Sequence, residues 1–120
     1  MHKVMLVEDD PTMLSLLNTL LEIEGFKVVD TKDFGNAIEE LRAANPDLVL
    51  LDVHLHDFDG FEILEGIRND QQIKNTAVIM SSGMALKEDC LEKGANDFIM
   101  KPYMPDELID KIKKQLENID

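Results

Sequence analysis

The 120-residue chain has one cysteine, Cys90. An internal disulfide is therefore excluded, and the scarcity of thiols points to a reducing compartment. Positive charge is also in short supply: 12 Lys and Arg stand against 25 Asp and Glu, a net charge of −13. A chain this acidic gains no counterion-release energy from a phosphate backbone, which argues against direct binding to nucleic acid. Anionic membrane surfaces are disfavoured for the same reason. No apolar run approaches the roughly 18 residues needed to cross a bilayer. Met1-His2-Lys3 opens directly into a strand-like stretch, without the pattern of a signal peptide. Linkers, low-complexity tracts and internal repeats are missing as well. Together these absences predict a soluble, cytoplasmic protein with no membrane role.

The residues that are present have an ordinary globular balance, 44% apolar and 31% charged, on a length that suits one compact domain spanning 1–120. Five short apolar runs recur: Val4-Met5-Leu6-Val7, Lys27-Val28-Val29, Leu48-Val49-Leu50-Leu51, Ala77-Val78-Ile79-Met80 and Phe98-Ile99-Met100. Continuous runs of this kind fit strands buried on both faces, as in a parallel sheet. Longer stretches at helical spacing alternate with them. One apolar stripe is Phe34, Ala37, Ile38 and Leu41; another is Ile109, Ile112, Leu116 and Ile119.

The boundaries carry their own signals. Asp10-Pro11 has the order of an N-cap and a first helical residue, and Pro105 opens the last helix similarly. Asp59-Gly60-Phe61-Glu62 is patterned like a capping box, while Gly25, Gly94 and Asn45-Pro46 mark helix ends. Strand-helix alternation with short connections predicts an open α/β sheet with helices on both faces. Ligands of such sheets sit at the carboxyl ends of the strands.

Chemistry collects at those ends. Glu8, Asp9 and Asp10 follow the first strand, and Asp52 follows the third, with Asp57 and Asp59 in the next loop. Ser81, Ser82 and Gly83 follow the fourth, and Lys101-Pro102 the fifth. If the first and third strands are neighbours, Glu8, Asp9 and Asp52 converge, repelling by about 1 kcal/mol per pair in water and by more in a shielded cleft. A hard divalent cation with oxygen ligands offsets that, and Mg²⁺ suits a site that leaves positions for water and phosphate oxygens. Lys101 adds a fixed positive charge and Ser82 a hydroxyl donor, completing a constellation for a tetrahedral anion.

With Glu8-Asp9, Asp52, Asp59-Gly60, Ser82 before Gly83, Gly94-Ala95, Phe98 and Lys101-Pro102 in this order, the chain resembles the receiver domains of two-component response regulators. The resemblance implies a flavodoxin-like (βα)5 fold with a five-stranded parallel sheet of order 2-1-3-4-5. It implies that Asp52 accepts a phosphoryl group from a phosphohistidine of a sensor histidine kinase. Glu8, Asp9, Asp52 and the backbone carbonyl of His54 would organise Mg²⁺, directly or through water. Lys101 would pair with the phosphoryl group, and Ser82 would hydrogen-bond it and draw its loop inward. Phe98 would be the aromatic switch residue. Gly83 and Pro102 would shape the loops, with a cis bond before Pro102. The output would be altered partner binding at the surface of helix four, strand five and helix five.

Some residues depart from the family pattern. Glu8 replaces the commoner Asp, Ser82 the commoner Thr, and His56 stands where the loop often has Pro. His54 and Met84, beside the phosphorylation site, could alter the dephosphorylation rate. The expected partners are a sensor kinase or a histidine phosphotransferase, together with an output protein that the sequence does not identify. The receiver is expected to be a monomer, with phosphorylation-dependent dimerisation left open, and to act as an enzyme only on its own phosphorylation state. Two further readings weigh against this one. A stand-alone phosphatase using Asp52 as nucleophile would be similar to the haloacid dehalogenase-like phosphatases, but these carry a second Asp two residues on, where His54 stands. A pseudo-receiver that binds partners without phosphorylation is countered by the intact Asp52, Ser82 and Lys101. A zinc site built from Asp52, His54 and His56 is disfavoured because the loop already turns toward the next helix.

Overall fold

Each apolar run forms a strand, and the computed structural model describes residues 1–117. Numbering the strands of the main sheet alone, the order along the chain is β1 (Lys3–Val7), α1 (Pro11–Ile23), β2 (Lys27–Asp30), α2 (Ala37–Ala44), β3 (Leu48–Asp52), α3 (Gly60–Arg68), β4 (Ala77–Ser82), α4 (Lys87–Glu92), β5 (Asp97–Met100) and α5 (Pro105–Glu117). The strands pair in parallel in the order β2-β1-β3-β4-β5, the expected flavodoxin-like arrangement. Every residue of β3 and of β4 is buried, which is why their sequences run continuously apolar up to a polar end rather than alternating.

Alternate side chains go to opposite faces. Met5, Val7, Val49, Leu51, Val78, Met80 and Phe98 pack with residues of α2, α3 and α4, among them Leu41, Leu64, Ile67 and Cys90. Val4, Leu6, Leu48, Leu50, Ile79 and Ile99 pack against α1 and α5 through Leu17, Leu21, Leu108, Ile112 and Leu116. Fully burying one such side chain is worth about 1.5–3 kcal/mol, so the two aliphatic layers dominate the fold. Cys90 is fully buried in α4, and burial pushes its thiol up to about 11.

Asp10 caps α1, accepting from Thr12 N at 2.9 Å, with Pro11 as the first helical residue. Gly25 and Gly94 adopt positive φ after α1 and α4, and Asn45 does the same at the end of α2. Two details differ from the sequence expectation. Phe34 lies in a short 3₁₀ turn, Phe34–Asn36, ahead of α2, because the Asp33 carboxylate accepts from Gly35 N at 3.0 Å and tightens the chain there. The capping box at α3 is half formed: Asp59 accepts from Phe61 N at 2.9 Å, and Glu62 has no reciprocal bond among the described residues. Ile119, placed in the last helical stripe, lies outside the described residues. Among the described residues, no helix is long and apolar enough to cross a membrane.

Candidate functional site

Because β1 and β3 are neighbours, the residues that follow them meet. Glu8, Asp9 and Asp52 each offer a carboxylate oxygen, and these oxygens all lie within 4.8 Å of one another. Lys101, after β5, reaches across to this cluster, its Nζ 2.9 Å from Glu8 Oε1 and 3.1 Å from Asp52 Oδ2. Glu8 is turned inward and well satisfied, since its Oε2 also accepts from the backbone N–H groups of Asp9 and Asp10, each at 3.1 Å. Its extra methylene relative to Asp allows that reach.

Asp52 is 6% exposed. Burial pushes its carboxyl up to about 6, and the Glu8 charge adds to the rise while Lys101 opposes it. Burial acts to lower the Lys101 ammonium, but its bonds to Glu8 and Asp52 outweigh that and raise it. Three carboxylates against one ammonium leave two negative charges, which a divalent cation with oxygen ligands would balance. The donor set therefore fits Mg²⁺.

The loop after Asp52 folds into a small antiparallel hairpin, His54–Leu55 against Phe58–Asp59. Its base is closed by Gly60 N donating to Val53 O at 2.8 Å. That bond makes His54–Asp59 a non-hydrogen-bonded pair, so the ladder does not take up the His54 carbonyl. Gly60 is required by close approach. A Cβ there would collide with the Asp52 carbonyl oxygen and stand 2.8 Å from Val53 Cα, which gives the Asp59-Gly60 pair its physical reason. At the hairpin tip Asp57 has φ 68°, and the His56 backbone N–H donates to Asp9 Oδ2 at 2.5 Å. The loops after β1 and β3 are thus tied together over the cluster.

On the other side, Ser82 is buried, and its Oγ accepts from Met84 N at 3.0 Å. Lys101 N donates to Ser82 O at 2.8 Å, linking the ends of β4 and β5. The Lys101–Pro102 bond is cis. Gly83 and Met84 are exposed, and Phe98 is buried under α4. His54 and His56 are exposed, outside the carboxylate cluster. Asp30 and Thr31 stay out of the site: Asp30 accepts from Asn18 Nδ2 at 2.9 Å and Thr31 Oγ1 donates to Leu6 O at 3.0 Å. The lysines of the last helix are partly taken up within the chain, Lys111 by Asp97 and Lys113 by Glu24.

The sequence reading missed two features. The hairpin strands are two residues each, below any periodicity signal, although the positive φ of Asp57 suits an Asp. Arg68, at the far end of the sheet, donates to the carbonyls of Lys74, Thr76 and Gly94 and to Asn96 Oδ1 at 2.7–2.9 Å. Backbone acceptors from separate segments leave no motif.

Comparison with known proteins agrees with this geometry. Residues 4–113 match the response regulator receiver domain family. The phosphate regulon transcriptional regulatory protein PhoB of Escherichia coli is 31% identical over 121 residues, covering 98% of this chain and 53% of PhoB. The sensory transduction protein BceR of Halalkalibacterium halodurans is 36% identical over 122 residues, covering 99% of this chain and 52% of BceR. The chain thus spans about half the length of these curated relatives. Among solved structures, a CheY-like response regulator receiver domain protein from Methanospirillum hungatei superposes with a TM-score of 0.88 at 30% identity, covering 98% of this chain and 95% of that one. The receiver domain of the sensor histidine kinase PA1611 from Pseudomonas aeruginosa has a TM-score of 0.86 at 26% identity, with 97% and 98% covered. That structure holds a magnesium ion in its active-site cleft. With fold, site and sequence in agreement, the chain belongs to the response regulator receiver domain family.

Proposed function

We propose that this receiver domain is a phosphorylation-controlled switch in which Asp52 is the phosphoacceptor. The observation that carries the reading is the buried cluster itself: three carboxylates around one lysine, with Asp52 pushed up to about 6. Above that pH Asp52 is chiefly the carboxylate, and a carboxylate oxygen is the nucleophile the reaction needs. Its Oδ2 is held by Lys101, which leaves Oδ1 to attack. The O–P bond forms as the N–P bond of a phosphohistidine breaks, and the electron pair leaves with the imidazole nitrogen. Asp9, Asp52, the His54 carbonyl and Glu8 would hold Mg²⁺, which would supply positive charge beside the phosphoryl oxygens. Lys101 binds the new phosphoryl group from the other side.

The phosphoryl group adds nearly two negative charges and several acceptor oxygens. Ser82 donates its hydroxyl hydrogen to one of them, and the loop that starts at Gly83 follows. Phe98, under α4, adjusts with that loop. The differential interaction shifts an existing equilibrium between two arrangements of the α4–β5–α5 surface, so partner affinity changes. A sensor histidine kinase or histidine phosphotransferase is the donor, and the chain's own chemistry is limited to gaining and losing this group. Incubation with a small phosphodonor and Mg²⁺ adds one phosphoryl group by intact mass, and Asp52→Asn abolishes it. Equal labelling of that variant would sink the assignment.

A further inference from the structure

The His56 backbone N–H donates to Asp9 Oδ2, although this position often carries proline, which has no N–H, in the family that the chain resembles. Its setting makes the bond available. Leu55 and Phe58 face each other across the hairpin, so His56 and Asp57 are the two central residues of the turn. Asp57 has positive φ and His56 does not, the pattern of a type II turn, whose first central N–H takes no part in the ladder. The His56 imidazole is solvent-exposed, 3.6 Å from the Asp57 carboxylate, and only the backbone N–H of this residue bonds Asp9 among the described residues.

We propose that the His56 N–H is a positioning group for the metal site, fixing the Asp9 carboxylate so that its other oxygen faces the shared cavity. The inference rests on the reading of Glu8, Asp9 and Asp52 as a Mg²⁺ site. Glu8 is already held by two N–H groups and Lys101, and Asp52 by Lys101. Asp9 has no basic partner among the described residues, so the His56 N–H is what fixes its orientation. Outer-shell hydrogen bonds of this kind typically change metal affinity by about 10–100-fold.

The turn supplies a selective test. Proline suits the first central position of a type II turn, so His56→Pro removes the N–H without opposing the local backbone. His56→Ala removes the imidazole and keeps the N–H, and serves as its reference. Mg²⁺ titration monitored by amide NMR is expected to give a dissociation constant about 10-fold weaker for the Pro variant than for the Ala variant. In labelling with a small phosphodonor, the half-saturating Mg²⁺ concentration rises by the same factor, while the rates at saturating Mg²⁺ stay within about twofold. Without metal, the residue-56 amide proton of the wild type is shifted downfield and slow to exchange, and Asp9→Ala removes both properties. Equal Mg²⁺ affinity in the Pro and Ala variants, or a residue-56 amide indifferent to Asp9→Ala, overturns the inference. A wild type that binds no Mg²⁺ overturns the metal reading and this inference together, which separates the two failures.

Discussion

The two edges of the sheet are built on opposite principles. At the amino-terminal edge Arg68 and Lys3 find neutral partners. Arg68 donates to three carbonyls and to Asn96, Asn96 Oδ1 also accepts from Val78 N at 2.8 Å, and Lys3 Nζ donates to Ala44 O at 2.6 Å. At the carboxyl-terminal edge three carboxylates crowd one ammonium. The first edge resolves its polar groups in hydrogen bonds, whereas the second keeps an unbalanced charge in a buried place. Like charges held together cost stability, and that cost becomes useful only when a ligand relieves it. Polar groups are satisfied at one edge, and charge is left unbalanced at the other.

The largest expected effect breaks the stable edge. Arg68→Ala deprives three carbonyls of this donor and removes one of the two bonds to Asn96 Oδ1, and denaturant unfolding should show a loss of about 3 kcal/mol. Mg²⁺ affinity should be unaffected, since Arg68 lies at the other end of the strands. An equal loss of Mg²⁺ affinity would mean that the two edges are not independent.

The next effect is smaller and opposite in sign. The folded-state value for Asp52, about 6, lies above the ordinary 3.8, so between those values the folded state binds more protons than the unfolded one. Stability therefore falls as pH rises through that window, and the full cost is present at pH 7. Asp52→Asn removes the charge and should stabilise the metal-free protein by about 1–2 kcal/mol at pH 7. The gain should shrink below pH 6 and vanish near pH 4 in thermal melts. A gain independent of pH would trace the effect to packing instead. Smallest of all, Lys113→Ala removes a partly exposed pair with Glu24 and should change stability by less than about 0.5 kcal/mol.

The five strands and their polar ends were legible because parallel strands buried on both faces cannot alternate, and their apolar runs end where the chemistry begins. Glu8, Asp9, Asp52 and Lys101 were legible as a group for that reason, and the structure brings them together. The hairpin at His54–Asp59 was not, because two-residue strands carry no period and are set by one positive φ and one closing bond. The orientation of Glu8 toward Lys101 was hidden too, since it depends on the N–H groups of Asp9 and Asp10. Arg68 carried no sequence signal, because only the folded backbone gathers its acceptors.

The buried Cys90 has one more consequence. It is the chain's sole thiol, sealed on the inner face of α4 with its ionisation suppressed, so an added thiol reagent meets it only when that helix lifts away. The rate of alkylation is then a clock for helix opening, readable by mass without labels, mutations or a partner.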